Sequence, residues 1–86
     1  MATKRASAPI TASGVVVNGP ARLRGFYVNS TTSGTLVLYD NTAASGTVLS
    51  GTITPAAGWN EFPVDLANGL YATVGGTLNV TFFTET

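Results

Sequence analysis

The chain has 86 residues, the length of one domain, and a domain this small buries only a modest core. It contains neither cysteine nor histidine, which excludes a disulfide framework and a Cys/His zinc site. Its four basic and four acidic residues balance, and charged residues make up 9% of the chain, against about 25% in ordinary soluble domains. Such a surface can be buried without desolvating many ions, which predicts an oligomer or a protein that docks on a larger assembly.

The first thirteen residues are predicted to form an arm. Small polar residues and a proline show neither a helical nor a strand period there. We expect an extended N-terminal arm over residues 1–13 that lies on a neighbouring chain, and one domain over residues 14–86. The candidate contact residues of the arm are Lys4, Arg5, Pro9 and Ile10.

The arm is too polar for the apolar core of a signal peptide. The chain also has no run of 18 apolar residues, so no membrane span is predicted. These features predict a protein that is made in the cytoplasm and either stays there or becomes part of a particle that assembles there.

The first long strand begins after the Asn-Gly-Pro turn signal at residues 18–20. Apolar residues and arginines alternate up to Gly25, where the alternation changes phase. A bulge at Gly25 would keep Leu23, Phe26 and Val28 on one buried face.

The middle of the chain contains several turn signals. Residues 30–34 are predicted to form a turn, and residues 35–39 a strand. Asp40 and Asn41 are expected to close that strand through side-chain hydrogen bonds to the backbone. A hairpin turn is predicted at residues 75–76.

The later strands carry clear patterns. Pro63 lies within the short segment 59–64, which predicts an edge strand or a bulged strand. Over residues 77–84 the alternation places Leu78, Val80 and Phe82 inside and Phe83 outside.

Seven or eight short strands with regular turn signals predict an all-β fold, a small antiparallel β-sandwich or jelly-roll-like domain with the extended arm.

The chain offers little for catalysis. Nucleophilic catalysis needs a base that titrates near neutral pH, and the nearest candidate is Lys4 in the arm. The spacing of Asp40, Asn41 and Asp65 matches no dense calcium-binding loop. The carboxylates are expected to be solvated loop residues: Asp40, Glu61, Asp65 and Glu85. We therefore expect no enzyme, no metal and no cofactor.

Further candidate contact residues are Arg22, Arg24, Trp59 and Phe83. The two arginines share one strand face and either contact a partner or pair with carboxylates, but they do not make a basic patch for nucleic acid. Trp59 has three interpretations: an interface residue, a sugar-stacking platform with Asn60 and Glu61 as its hydrogen-bonding groups, or, with Phe62, a cap on the core. Phe83 points away from the core, so it is covered or makes a contact.

The runs "ARLRGFYVNSTTSGTLVLYDNTAASGTVL", "TITPAAGW" and "GLYATVGGTLNVTF" resemble small virion-associated proteins of tailed bacteriophages, which tend to be short, cysteine-free and all-β. The resemblance covers residues 14–83 and consists mainly of turn and strand elements, so it implies a fold and a setting and no catalytic residues. Its most specific pieces are residues 28–30, 40–42, 45–47 and 69–77.

The resemblance and the uncharged surface together favour a capsid decoration (cement) protein, which stabilises the shell by bridging neighbouring major capsid protein subunits. This implies a homotrimer at symmetry axes of a virion assembled in the host cytoplasm, with no nucleic-acid or membrane partner. The alternatives are a neck, tail or fibre component, or a carbohydrate-binding module with Trp59, Tyr39 and Tyr71 as stacking platforms.

Overall fold

A computed structural model of the chain describes residues 4–7 and 9–85, with the backbone alone for Lys4 and Arg5. These residues form one six-stranded antiparallel sheet and no helix, which confirms the all-β prediction. Within this part of the chain, no helix is long and apolar enough to cross a membrane. The strands are β1 (Lys4–Ala6), β2 (Gly14–Asn18), β3 (Ala21–Asp40), β4 (Thr47–Val48), β5 (Gly58–Leu66) and β6 (Gly69–Glu85).

The long strands β3 and β6 form a ribbon that organises the sheet. They pair from Arg22 opposite Glu85 to Tyr39 opposite Tyr71. At one end of the ribbon, which we call the β5 end, β5 pairs with β3 and β1 pairs with β6. At the other end, the β4 end, β4 pairs with β3 and β2 pairs with β6. Each end of the ribbon is therefore four strands wide.

The ribbon bends where the sequence predicts turns. The turn predicted at residues 30–34 and the hairpin predicted at residues 75–76 are both wrong, because these residues lie inside β3 and β6. Ser33 and Gly34 of β3 oppose the single residue Gly76 of β6, which is a β-bulge. Gly76 has a φ of 65°, and a Cβ atom there would collide with the carbonyl oxygen of Ser33. Glycine therefore allows both strands to bend together without ending.

One hydrophobic core lies on the inner side of the curled sheet and draws on both ends of the ribbon. The predicted bulge near Gly25 is confirmed, because the register shifts between Leu23 and Gly25. The predicted alternation over residues 77–84 is confirmed as well. The core residues are Leu23, Phe26, Val28, Leu36, Leu38, Leu66, Leu70, Ala72, Leu78, Val80 and Phe82.

The described part of residues 1–13 lies on the chain's own sheet. β1 pairs with the end of β6, and Ile10 forms a backbone bridge with Val80 and packs against the core. The backbone of Ser7 donates to the carbonyl oxygen of Phe82 at 2.8 Å. This placement differs from the predicted arm on a neighbouring chain, because β6 offers an unpaired edge nearby. The predicted boundary between residues 13 and 14 stays a prediction.

β5 is an edge strand, as Pro63 predicted. Within the described residues, β5 pairs with β3 on one side and with no strand on its other side. Pro63 lacks a backbone N–H and is exposed, so it fits an edge position. Its outward neighbours in the same strand, Glu61 and Asp65, add charge that discourages pairing with another strand.

Candidate interaction surfaces

Four large apolar side chains stay exposed on the outside of the sheet. Val15, Tyr27, Val48 and Trp59 are each between 45% and 53% exposed. Tyr27 and Trp59 lie at the β5 end of the ribbon, whereas Val15 and Val48 lie at the β4 end. The exposed apolar residues therefore form two separate surfaces.

The first surface, which we call the tryptophan face, consists of Tyr27, Trp59 and Phe83. Trp59 of β5 is directly opposite Tyr27 of β3, and directly opposed residues project on the same side of a sheet. The rings of Trp59 and Phe83 meet edge to face, with 5.5 Å between centroids and 68° between planes. Trp59 is thus not a cap on the core, whereas Phe62 does pack against the core.

Gly25 makes room for the indole of Trp59. A Cβ atom on Gly25 would lie 2.8 Å from Cζ2 and 2.9 Å from Cη2 of Trp59, closer than carbon atoms approach. The indole therefore covers the bare backbone of Gly25. The side chain of Asn60 donates to the carbonyl oxygens of Ala56 and Gly58, each at 3.1 Å, and so holds the turn that leads into Trp59.

A polar group borders the tryptophan face. The side-chain amide of Asn29 donates to Oδ1 of Asn79 and to Oγ1 of Thr81, each at 3.0 Å. Thr81 is opposite Tyr27, which places this group beside the rings. With both amide hydrogens engaged, the Oδ1 atom of Asn29 faces away from β6 as an acceptor.

The predicted contact residues Arg22 and Arg24 are both exposed and both lie in ion pairs. Nε of Arg22 is 3.6 Å from Oδ1 of Asp65, and Nη1 of Arg24 is 2.9 Å from Oε1 of Glu85. The Arg22–Asp65 pair is exposed on both sides and adds little to stability, whereas the Glu85 side chain is only 13% exposed. The Arg24–Glu85 pair neutralises the cation nearest the tryptophan face, and the Arg22–Asp65 pair lies farther along β5.

The second surface, which we call the valine–tyrosine row, runs across all four strands of the β4 end. Its residues are opposed in the order Val48, Tyr39, Tyr71 and Val15. The two tyrosine rings meet edge to face at 6.3 Å and 69°. Sequence reasoning singled out the tyrosines and missed the valines, because the exposure of Val15 and Val48 depends on pairing between distant strands.

Asp40 fixes the strand ends next to this row. Its carboxylate accepts hydrogen bonds from the backbone of Asn68 at 2.9 Å and of Ala67 at 3.1 Å. These bonds, that from Asn68 foremost, hold the pKa of Asp40 below its ordinary value. Asn41 makes the predicted local bonds instead, accepting from Thr42 at 2.8 Å and donating to the carbonyl oxygen of Ser45 at 2.9 Å. The predicted bonding of both side chains to backbone is confirmed, although Asp40 reaches across to another turn.

A groove opens between β1 and β2, with a volume of about 460 Å³. Its lining includes Val16, Val17 and the inward-facing residues Phe82 and Thr84. In the described part of the chain, no group of three or more His, Cys, Asp or Glu residues could hold a metal ion. The prediction that the carboxylates are solvated loop residues is wrong, because all four lie in strands and the Glu85 side chain is only 13% exposed. Asp40, Asp65 and Glu85 each have separate partners.

The predicted contact residues of the N-terminal segment have different placements. Pro9 is exposed, and Ile10 is half-buried against the chain's own core. The side chains of Lys4 and Arg5 lie outside the described part of the structure. The structure brings together Trp59 and Phe83 on one face, with Arg24 close by in the bulge of β3.

Comparison of the chain with protein-family models, with curated proteins and with solved structures found no match. The resemblance to bacteriophage virion proteins therefore stays a prediction.

Proposed function

We propose that this chain is a structural protein of a tailed-bacteriophage virion, a capsid decoration protein that bridges major capsid protein subunits as a homotrimer. The observation that carries the proposal is the pair of apolar outer surfaces on a domain with 9% charged residues. Scattered exposed apolar residues are ordinary, but residues aligned in register across several strands mark interaction sites.

Repetition makes weak contacts sufficient for this role. Each contact contributes about 25 cal/mol per Å² of apolar area removed from water. A trimer engages the shell at several points at once, so later contacts form at high effective concentration. The low charge keeps the desolvation penalty of every contact small.

We also propose that the curled sheet is a small sandwich of the jelly-roll kind. Support comes from the bend at Ser33, Gly34 and Gly76, which divides the β3–β6 ribbon into two ends that share one core. Four strands at each end fit two facing sheets.

We assign the shell contact to the valine–tyrosine row. It spans four strands and none of its residues carries a charge, so it can be covered with little loss of ion hydration. The contacts predicted at Arg22, Arg24, Trp59 and Phe83 lie at the β5 end and stay predictions. Deletion of residues 2–13 would be a poor test of the contacts predicted for the N-terminal arm, because it would also expose the edge of β6 that β1 covers.

The test is binding of the purified chain to shells stripped of it, from the bacteriophage that encodes it. We expect the double substitution Val15→Ser and Val48→Ser to weaken binding at least about tenfold, because it removes both exposed ends of the row. Co-sedimentation measures occupancy. Substitutions at exposed positions change the free energy of unfolding by only about 0.5 kcal/mol. Thermal unfolding verifies that the double variant is folded.

The matched control is Tyr27→Ser, which is 45% exposed like Val15 but lies on the tryptophan face. It should bind shells normally. Unchanged occupancy by the double variant would contradict the assignment. Copy number separates the virion locations, because a shell carries on the order of hundreds of copies and a neck or tail about a dozen or fewer.

A carbohydrate-binding module is the second candidate function. It is favoured by the half-exposed indole of Trp59, which Phe83 and the backbone of Gly25 hold in place. Tyr39 and Tyr71 are the other two predicted platforms, and their rings pack against each other edge to face. Loss of glycan binding by the isolated chain on Trp59→Ala, with Tyr39→Ala unaffected, tests this candidate.

A further inference from the structure

We infer that the tryptophan face binds a neutral oligosaccharide of pyranose units, with Trp59 as the stacking platform for one unit and Asn29 and Thr81, beside Tyr27, as the polar groups that orient the next. This inference deepens the second candidate function and does not require that the chain bind a phage shell. Four features of the site support it: a rigid ring, an uncharged hydrogen-bonding border, balanced charges nearby, and an open face.

The indole of Trp59 is held in place before any ligand arrives. It lies against Gly25 and meets Phe83 edge to face at 5.5 Å, while half of its surface stays exposed. A ligand that stacks on this ring therefore loses little side-chain entropy from the protein. Sugar rings carry an apolar face of C–H groups that matches such a platform.

Asn29 and Thr81 supply the polar half of the match. Both amide hydrogens of Asn29 are used by Asn79 and Thr81, which leaves the Oδ1 atom of Asn29 as an acceptor. Because Oγ1 of Thr81 accepts from Asn29, its own hydrogen is available to donate. These groups border Tyr27, whereas the indole of Trp59 extends toward Gly25 and Phe83. They would therefore meet the hydroxyl groups of a sugar chain that extends from Trp59 across Tyr27.

The charges around the face favour a neutral ligand over an anion. Arg22 and Arg24 are paired with Asp65 and Glu85, so neither is a free phosphate ligand. Glu61 projects from the next outward position of β5 and adds a negative charge. A nucleic acid or a sulfated sugar would meet this carboxylate without an excess of cations.

Trp59 is the single tryptophan of the chain, so fluorescence excited at wavelengths that tyrosine does not absorb reports on this site alone. The experiment titrates the full chain with maltotriose, cellotriose and N,N′,N″-triacetylchitotriose to about 50 mM, far enough to detect a Kd on the order of 1 mM. We expect a saturable change in Trp59 emission with at least one of these sugars. A sulfated heparin disaccharide, the charged comparison, should give no saturable change.

The variant Asn29→Ala keeps the fluorescent reporter and should weaken binding at least about tenfold. Trp59→Ala should abolish binding in NMR titrations, where the amide signals of Tyr27 and Thr81 report on the site. Tyr39→Ala, at the other end of the ribbon, is the control and should bind normally. Both test residues lie outside the core, and thermal unfolding verifies that each variant folds.

Three results would overturn the inference. One is the absence of any saturable response to the three neutral sugars. Another is binding that survives both Trp59→Ala and Asn29→Ala. The third is that Trp59→Ala abolishes shell binding while the native chain binds no sugar, which would make the tryptophan face a protein contact. Unchanged shell binding by the valine variants would refute the shell assignment and would leave sugar binding untouched, so the two proposals fail separately.

Discussion

The tryptophan face and the valine–tyrosine row arise in the same way and differ in what surrounds them. Each forms because outward residues on paired strands stand in register. The tryptophan face has an amide and a hydroxyl beside Tyr27 and the Arg24–Glu85 ion pair beyond Phe83. The row consists of two tyrosines between two valines. We therefore expect the border of each aromatic group, more than the group itself, to select the chemistry of its partner.

The two surfaces also differ in how their rings are held. Trp59 packs on the bare backbone of Gly25, a single point that one methyl group can disturb. Tyr39 and Tyr71 pack on each other, next to a turn that the carboxylate of Asp40 fastens. Substitutions at Gly25, Asp40 and Arg24 therefore test the two surfaces separately.

The largest effect is expected for Gly25→Ala. The new Cβ atom would lie 2.5 Å from the carbonyl oxygen of Asn60 and within 3 Å of the indole of Trp59. We expect a loss of about 1–3 kcal/mol in the free energy of unfolding, as for other overpacked sites, together with a shift in Trp59 emission. Chemical denaturation measures the first and fluorescence the second.

The control for Gly25→Ala is Gly51→Ala, because a Cβ atom on Gly51 meets nothing within 4 Å. Its stability should change by no more than about 0.5 kcal/mol. Equal effects of the two substitutions would refute the claim that Gly25 makes room for Trp59.

A smaller effect is expected for Asp40→Asn, which weakens the turn beside the valine–tyrosine row. Charge-assisted bonds to Asn68 and Ala67 are lost, at about 1 kcal/mol for this partly exposed group. The folded-state pKa of Asp40 lies below the unfolded value of about 3.9. Its stabilisation is therefore complete above that value and is lost as pH falls through the folded-state pKa.

The measurement for Asp40→Asn is the melting temperature of native and variant chains from pH 7 to pH 2. The difference between the two melting temperatures should decrease below about pH 4. Asp65→Asn serves as the comparison, since the Asp65 side chain is 86% exposed and its ion pair with Arg22 is long. If the difference in melting temperature between the native chain and Asp40→Asn is unchanged at pH 2, the charge of the Asp40 carboxylate is not what stabilises the turn.

A smaller effect again is expected for Arg24→Met, which keeps the aliphatic stem and removes the ion pair with Glu85. We expect a loss of about 0.5–1 kcal/mol, because the Arg24 side chain is half exposed while that of Glu85 is only 13% exposed. In 1 M salt the difference from the native chain should vanish. Arg22→Met should have a still smaller effect, and a loss well above 1 kcal/mol for Arg24→Met would mean that the pair supports the tryptophan face structurally.

Local patterns in the sequence were sufficient for part of this fold. The phase change at Gly25 predicted the bulge, and the alternation over residues 77–84 predicted which side chains are buried. Pro63 predicted an edge strand. Each of these features depends on a few neighbouring residues, which is why a single sequence reveals it.

Other features depend on distant residues and could not be predicted this way. Ser33, Gly34 and the glycines at 75–76 fit a turn or a bulge equally well. Only the pairing of β3 with β6, which places the first two residues opposite Gly76, shows that they form a bulge. The outward position of Trp59 follows from its pairing with Tyr27. Of the candidate sites, sequence reasoning identified the aromatic residues, and it missed Asn29 and Thr81 because their bonds join strands about fifty residues apart.

The pairing of β6 with three other strands has a consequence for how the chain folds. β1, β2 and β3 all pair with β6, which is the last strand of the sheet to be synthesised. Residues 69–85 must therefore emerge from the ribosome before most native hydrogen bonds can form, and contacts of such long range make folding slow. We expect the nascent chain to remain without a stable sheet until this segment emerges, with its early strands exposed to chaperones or to self-association in the meantime.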